Sequence, residues 1–228
     1  MKKHLLFLAS VAFILTTIGT ALGQSHAFLW DPTTGIRDLG TLGGDSSAGN
    51  VVGYGRQVDG RQVAFFWSPT NGFTTLGDIS SRSENGNTAY AINELDQVTG
   101  NLIVDQHGSI YHAYLWSPGM VQPRDLGTVD GGQGNSGLAI NNHTKIVGIS
   151  FALGQPPEPM SWTKKLGMSL IGMVPGTVFS QAYAINDAGQ VVGLDETGTS
   201  DLAFYTAPGT GLRFLQGTGR EFDFRPRD

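Results

Sequence analysis

One set of short motifs recurs five times along this chain, about every 45 residues, and this repetition limits what the chain can fold into. Each copy contains an aromatic motif and then a Leu-Gly or similar step. The central copies add an Ala-Ile-Asn motif and a Val-Val-Gly motif. The five aromatic motifs end at Trp30, Trp67, Trp116, Trp162 and Thr206. A period of this size is typical of stacked or circular arrays of β-strands.

The motifs have the composition of β-strands. Each is four to six residues long, is rich in aromatic and β-branched types, and is bounded by Gly, Pro, Asn, Asp or Ser. Their apolar residues are consecutive, which favours strands buried on both faces, and no helical periodicity with caps follows residue 25. The sequence therefore predicts an all-β, propeller-like array of about five four-stranded antiparallel repeats.

The first and last copies are predicted to be incomplete. Leu39 and Val51 are 12 positions apart, whereas the equivalent Leu126 and Ile146 are 20 positions apart, so the first copy lacks about one strand and its turn. The fifth copy ends after its second motif. Whether such an array closes into a ring, or represents a shortened member of a longer class, stays open at this point.

One turn type is predicted to recur after the Ala-Ile-Asn motif. Asn186 to Gly189 has the composition of a tight hairpin turn that ends on a glycine able to take positive φ. The residues equivalent to Gly189 in two other copies are Asp96 and Thr144. Because threonine is β-branched, we expect either strain or a different turn at 141–145.

The N-terminal segment 1–23 resembles a secretory signal peptide. Lys2 and Lys3 precede an apolar run, and small residues precede a cleavage site predicted between Gly23 and Gln24. An uncleaved membrane anchor is the alternative, although polar residues interrupt the run. The expected organisation is a signal peptide at 1–23, a repeat domain at 24–219 and a short charged tail at 220–228. The protein is expected outside the cell or in the periplasm, with no membrane contact after signal removal.

Composition narrows the classes of partner. Without Lys2 and Lys3, 12 basic side chains remain against 19 acidic ones, a net charge of −7. An acidic chain without basic clusters argues against nucleic acid as a partner. The chain has no cysteine, so disulfides cannot stabilise it and burial must.

Three segments are specific enough to suggest a family. Segments 26–30 (HAFLW), 38–44 (DLGTLGG) and 184–193 (AINDAGQVVG) closely resemble the HAF-type extracellular repeat of bacterial proteins. The resemblance extends from residue 26 to about residue 215. It implies a secreted bacterial protein of propeller-like repeats without an established activity.

The repeated positions carry little recognisable chemistry. His26 and His112 share one motif position with apolar residues, which favours packing at a strand end. The four tryptophans are predicted to form inter-sheet core in preference to sugar-stacking platforms. The GxGxxG match at 132–137 is interpreted as a loop, and the acidic segment 195–201 as a solvated hairpin loop in preference to a calcium site. No catalytic residue, metal site or cofactor is predicted.

The leading functional hypothesis is a non-catalytic binding or interaction module for a glycan or another cell-envelope component, such as an envelope protein. Binding residues are expected on the variable loops 43–50, 78–88, 130–137 and 173–181. The candidate ligand-binding residues are Asp45, Asp78, Glu84, Asp130, Asn135 and Gln181. The alternative is a glycoside hydrolase or lyase acting in the propeller channel, which needs two converging acids. A truncated remnant that folds poorly is a third possibility, and the oligomeric state is open.

Overall fold

The computed structural model describes residues 27–31, 35–40, 50–57, 61–77, 86–105, 107, 109–129, 132–216 and 220–223. These residues form five antiparallel sheets, and no helix occurs among them. Sheet 1 contains β1 (Ala27–Asp31) and β2 (Gly35–Gly40). Sheet 2 contains β3 (Val51–Arg56), β4 (Gln62–Ser68) and β5 (Gly72–Thr75). The third contains β6 (Thr88–Ile92), β7 (Val98–Ile103), β8 (Tyr111–Trp116) and β9 (Arg124–Asp125).

Sheets 4 and 5 contain the two longest of the described strands. Sheet 4 contains β10 (Gly132–Ile140), β11 (Ile146–Ala152), β12 (Glu158–Thr163) and β13 (Gly167–Leu170). Sheet 5 contains β14 (Thr177–Ile185), β15 (Val191–Thr197), β16 (Asp201–Thr206), β17 (Arg213–Gln216) and β18 (Arg220–Asp223). Every strand pairs with its neighbour in the chain, so each sheet is a meander of hairpins. The predicted all-β, propeller-like fold is confirmed.

The structural unit is shifted by half a copy from the sequence unit. Each complete sheet begins with the Ala-Ile-Asn strand, and its Val-Val-Gly strand pairs with the aromatic motif that follows, as in Val98↔Trp116 and Ile146↔Trp162. The fifth aromatic motif therefore completes sheet 5 and does not begin a short repeat. Sheet 5 also gains β18 from the segment interpreted as a charged tail. The short sheets are the first two, which contain two and three strands among the described residues.

Consecutive sheets from sheet 2 to sheet 5 pack face to face. The strands β3, β6, β10 and β14 contact one another in succession, so they form the inner side of the array. Three apolar clusters fill the spaces between sheets, and each combines residues of two neighbouring sheets. The core is thus divided among the interfaces, as expected for stacked units.

Glycine lets the first two strands of each complete sheet approach closely. A Cβ at Gly100, Gly148 or Gly193 would collide with the backbone carbonyl oxygen of the preceding strand. The same strand pairs contain a register shift before each Ala-Ile-Asn motif that leaves one residue outside regular pairing, and sheets 4 and 5 contain a second shift at the start of their first strand. These bulge residues are Tyr90, Leu138 and Tyr183.

The recurrent turn is preserved in all three copies, including the threonine copy. Asp96, Thr144 and Gly189 have φ values of 57°, 59° and 78°. Each donates its backbone N–H to the carbonyl of the motif asparagine three residues earlier. Thr144 is held in this conformation by its hydroxyl, which donates to Gln97 Oε1 of the neighbouring sheet at 2.7 Å. The expected alternative turn at 141–145 does not form.

Two predicted loops are largely strands. Residues 132–137 belong to β10 and residues 177–181 belong to β14, so the loop interpretations of these segments are wrong. Their Gly, Asn and Ser residues reflect close packing on an inner strand, where small and polar side chains bond to the preceding sheet. Asp195 likewise lies within β15 and is fully buried, and is not part of a solvated loop.

Candidate ligand-binding cavity

An open cavity of about 370 Å³ lies between sheets 2 and 3 at their inner strands. Both sheets contribute to its wall, and every lining residue in the described part of the chain is uncharged at neutral pH. The lining residues are Tyr54, Gln62, Gly86, Thr88, Tyr90, Asn101 and Tyr111. A concave site that combines aromatic rings with a few polar groups is the usual form of a small-ligand pocket.

Three tyrosines dominate the cavity, and each reaches it for a different structural reason. Tyr54 lies on β3, the edge strand of the three-stranded sheet, and is exposed. Tyr90 is the bulge residue of β6, and the bulge turns its side chain out of the regular pairing, leaving it 47% exposed. Tyr111 begins β8. The cavity is thus assembled from three strands that are distant in sequence.

The polar side chains of the cavity are partly fixed by hydrogen bonds. Gln62 Nε2 donates to Thr88 Oγ1 at 3.0 Å, across the interface between sheets 2 and 3. Asn101 Nδ2 donates weakly to the Tyr90 hydroxyl at 3.5 Å and to Ser136 Oγ at 3.3 Å. Amides and hydroxyls retain spare donor and acceptor positions after such bonds, so the wall can bond to a hydroxyl-rich ligand.

The Tyr90 hydroxyl is kept protonated by its surroundings. Burial raises the pKa of Tyr90 above its ordinary value, and the neighbouring Tyr54 hydroxyl raises this pKa further. Hydrogen bonds from Asn101 and Thr88 oppose the rise without cancelling it. At physiological pH the phenol is therefore a neutral donor and acceptor.

Buried asparagines hold the sheets in the positions that form the cavity. Asn87 Oδ1 accepts from the Ala64 N–H at 3.0 Å, and its Nδ2 donates to the Gly77 carbonyl at 2.6 Å. Asn135 makes the equivalent bonds one interface later, to the Ala113 N–H at 2.6 Å and to a glycine carbonyl at 2.8 Å. We call these two side chains the asparagine bridges.

At the interface between sheets 4 and 5, a serine takes the place of the bridging asparagine for a stereochemical reason. The residue equivalent to Ala64 and Ala113 is Pro159, which pairs with Ile149 in the same register and has no N–H to donate. The bridging position is Ser180, which is buried and donates its own backbone N–H to the Pro157 carbonyl at 2.9 Å.

The candidate ligand-binding residues predicted from sequence lie in different places in the structure. Asn135 is fully buried with both ends of its amide bonded to backbone, so it connects sheets and does not face a ligand. Gln181 is half-buried on β14, away from the cavity. The other predicted residues lie outside the described residues: Asp45, Asp78, Glu84, Asp130, and the cleavage pair Gly23 and Gln24.

His112 has an acidic partner. Its Nδ1 lies 2.9 Å from both carboxylate oxygens of Asp125 on the neighbouring strand. Burial alone would raise the pKa of Asp125, but bonds with His112 and the Gly127 N–H outweigh burial and hold that pKa below its ordinary value. The pair joins β8 to β9 at a strand end. His26 lies outside the described residues.

A second acidic neighbourhood lies between sheets 4 and 5. Burial raises the pKa of Glu158, and the nearby Asp195 carboxylate raises it further. Asp195 accepts from the Val174 N–H at 3.1 Å through one oxygen, while its other oxygen is buried without a hydrogen-bond partner. Because Asp195 is fully buried, a substrate cannot reach this pair from solvent.

Two of the four tryptophans belong to the core, as predicted. Trp116 and Trp162 are buried, and the Trp116 ring lies 5.6 Å from the Phe66 ring of the preceding sheet, measured between centroids. Trp67 is half-buried, and the side chain of Trp30 lies outside the described part of the chain.

Sequence reasoning missed the tyrosines because it concentrated on repeated residues and loops. Two positions of the repeat at which the residue type differs among copies could have indicated these tyrosines. The residue after each Val-Val-Gly motif is Tyr54, Asn101, Ile149 or Leu194, and the residue before each Ala-Ile-Asn motif is Tyr90, Leu138 or Tyr183. Polar and aromatic types at both positions coincide at the interface of sheets 2 and 3.

The described ranges contain no group of three or more His, Cys, Asp or Glu side chains arranged to hold a metal ion. They also contain no helix of the length and apolarity needed to cross a membrane.

Comparison with known proteins establishes the fold alone. No protein-family model and no curated protein matches the chain. Among solved structures, a protein provisionally assigned as TolB from Agrobacterium tumefaciens matches with a TM-score of 0.59 and 9% identity, over 88% of this chain and 75% of that chain. TolB from Acinetobacter baumannii matches with a TM-score of 0.57 and 14% identity, over 79% of this chain and 45% of that one. The likeness to TolB, a β-propeller, agrees with the propeller-like arrangement of the sheets.

Proposed function

We propose that this chain is a secreted, non-catalytic binding protein of the HAF-type repeat family, and that its tyrosine-lined cavity binds an uncharged glycan of the cell envelope. The observation that carries the proposal is the grouping of three tyrosines with the side chains of Gln62, Thr88 and Asn101. Aromatic rings suit the apolar faces of sugar rings, while amides and hydroxyls suit sugar hydroxyls.

The neutrality of the wall supports an uncharged ligand. A charged ligand would lose hydration on entering the cavity, and none of the seven lining residues that the structure describes offers an opposite charge in return. The N-terminal segment 1–23 supports export, and the acidic composition does not favour polyanionic ligands.

The rival hypothesis of a glycoside hydrolase or lyase has weaker support. Such an enzyme needs two carboxyl groups about 5–10 Å apart on either side of a bound sugar. No carboxylate occurs among the described residues that line the cavity, and the described acid pair, Glu158 with Asp195, has one member sealed from solvent. The binding hypothesis therefore takes precedence.

A two-part screen tests the proposal. The purified chain is applied to a glycan array, and the immobilised chain is used to recover components from an envelope extract. We expect neutral saccharides among the ligands and loss of their binding in Tyr54→Ala. Recovery of an envelope protein alone, binding of charged saccharides alone, or unchanged binding by Tyr54→Ala would each contradict the proposal.

A further inference from the structure

The interface between sheets 4 and 5 contains a buried carboxylate that the repeat itself does not require. Asp195 is fully buried on β15, two positions after the glycine of its Val-Val-Gly motif. The equivalent residues of sheets 3 and 4 are Leu102 and Ser150, which are uncharged. Burying an ionised carboxylate costs free energy unless a cation and hydrogen bonds compensate it. The charge therefore needs an explanation that is specific to this interface.

One oxygen of Asp195 is explained by the loss of the asparagine bridge. Asp195 pairs with Ser180, the residue at the bridging position. Its Oδ2 accepts from the Val174 N–H at 3.1 Å, in the segment that joins sheet 4 to sheet 5. This bond replaces one contact that a bridging asparagine would make. Its Oδ1 is buried without a hydrogen-bond partner, so it accounts for the unmet part of the charge.

A second carboxylate lies next to this oxygen. The Ser180 N–H donates to the Pro157 carbonyl at 2.9 Å, which places Glu158 beside the strand pair that contains Asp195. Glu158 is half-buried, and the two carboxylates are close enough to repel each other. Within the described ranges, no Lys, Arg or His side chain forms an ion pair with either one.

A backbone carbonyl at the same interface lacks the donor that its equivalents have. The Gly172 carbonyl corresponds to the two glycine carbonyls that accept from the asparagine bridges. Ser180 has no amide to offer, and its hydroxyl donates to the Leu194 carbonyl at 3.1 Å instead. No other donor in the described part of the chain takes the place of the amide at Gly172. The interface thus combines two carboxylates with a carbonyl oxygen.

We propose that Asp195 Oδ1, the Glu158 carboxylate and the Gly172 carbonyl bind a calcium ion that joins sheet 5 to sheet 4. Calcium takes carboxylate and carbonyl oxygens in a flexible geometry and completes its shell with water, whereas magnesium demands a near-ideal octahedron. Two carboxylates also balance the charge of a divalent ion. The half-buried side of Glu158 gives the ion access from solvent.

A proton shared by the two carboxylates is the rival occupant. It would neutralise only one of the two negative charges, and it would leave the Gly172 carbonyl without a partner. The proposed site also differs from a calcium loop at 195–201, because Glu158 and Gly172 come from sheet 4 and the segment after it. Asp201 is exposed and plays no part in the site.

Calcium titration tests the site. The purified chain is freed of metal with a chelator, dialysed and titrated with CaCl2 in a calorimeter. We expect one ion per chain with a Kd on the order of 0.1–1 mM, as in extracellular calcium modules. Glu158→Gln should bind at least about tenfold more weakly, whereas the control Asp201→Asn, which removes an exposed carboxylate of sheet 5, should bind like the wild type. No binding, wild-type affinity in Glu158→Gln, or an equal loss in both variants would overturn the proposal.

Thermal unfolding distinguishes a calcium ligand from a purely structural carboxylate. Asp195→Asn keeps a side-chain oxygen for the Val174 N–H and offers an amide to the Gly172 carbonyl, so with a chelator present it should be at least as stable as the wild type. CaCl2 at about ten times Kd should raise the Tm of the wild type by about 3–6 °C and leave that of Asp195→Asn unchanged.

Glu158→Gln gives the same test if Asp195→Asn does not fold, since Glu158 is only half-buried. Its Tm should also not respond to CaCl2. A wild type that does not respond to CaCl2, or that responds equally to MgCl2, would overturn the proposal. A full calcium response in either folded variant would overturn it as well.

Discussion

The interface between sheets 2 and 3 and the interface between sheets 4 and 5 share a backbone plan but differ in what they leave open. At the first, Tyr54 and Tyr90 stand beside an open cavity. At the second, the equivalent residues are Ile149, which is buried, and Tyr183, which is 51% exposed. The aromatic bulge residue is thus retained, but its polar surroundings are not.

This comparison separates two kinds of position in the repeat. Glycines such as Gly148 set the spacing of strands within a sheet, and the buried bridges of Asn87 and Asn135 fix the distance between sheets. The residues beside them vary without changing that distance. Recognition can therefore differ among interfaces while the scaffold stays the same.

A substitution at a glycine that sets the spacing of two strands should have the largest effect on stability. In Gly148→Ala the new Cβ would collide with the Ser136 carbonyl oxygen, and neither strand can move without breaking its pairing. We expect a loss of about 3 kcal/mol in the free energy of unfolding, measured by chemical denaturation. Gly198→Ala is the control, because nothing lies within 4 Å of its added Cβ, and it should change stability by less than about 0.5 kcal/mol. Equal effects would refute the close-approach argument.

Removal of an asparagine bridge should have the next largest effect. Asn135→Ala leaves the Ala113 N–H and the Gly127 carbonyl buried without their partner, which should cost about 2–3 kcal/mol. Ser180→Ala removes only a hydroxyl that donates to the Leu194 carbonyl, so about 1 kcal/mol is expected. Thermal or urea denaturation of both variants measures the difference, and a larger loss in Ser180→Ala would contradict the bridge.

The turn at Thr144 tests whether its conformation is supported across the interface. Thr144→Val keeps the β-branch at φ 59° but loses the bond to Gln97, so it should destabilise by about 1–2 kcal/mol. Thr144→Gly loses the same bond but relieves the backbone, so it should lie within about 0.5 kcal/mol of the wild type. If denaturation shows the two variants equally stable, the left-handed conformation carries no cost.

The smallest effect concerns pH. Because the folded-state pKa of Asp125 is lowered, its ionised form stabilises the fold above the unfolded-state value of about 3.9, and that stability is lost as pH falls through the folded-state pKa. Asp125→Asn should cost a few tenths of a kcal/mol at pH 7, since the pair is partly exposed, and nothing near pH 2. Denaturation curves at both pH values check this, and a cost that persists at pH 2 would assign the effect to packing.

Sequence reasoning predicted the fold well because packing residues repeat. The Trp116 and Trp162 positions, the Ala-Ile-Asn turns and the Val-Val-Gly strands all occupy the places that their composition indicates. Its two wrong loop assignments had one physical source. Residues 132–137 and 177–181 are rich in small or polar types, which indicate a loop in isolation, but here they bond to a neighbouring sheet along an inner strand.

The candidate cavity could not be found by the same reasoning. Tyr54, Tyr90 and Tyr111 belong to three strands, and only the packing of sheet 2 on sheet 3 brings them together. Asn135 shows the reverse case, since a polar residue in a variable segment became a buried structural group. Variation along the sequence indicated where function could lie, but not which variable residues share a surface.

Ligand binding by a pair of matched variants tests the central claim most directly. Tyr90→Ala and Tyr183→Ala each remove a half-exposed bulge tyrosine from an inner strand, and only Tyr90 lines the cavity. Titration calorimetry with a neutral saccharide that the wild type binds should show at least about tenfold weaker binding for Tyr90→Ala, and wild-type affinity for Tyr183→Ala. Unchanged affinity in Tyr90→Ala, or an equal loss in both variants, would contradict a ligand site between sheets 2 and 3.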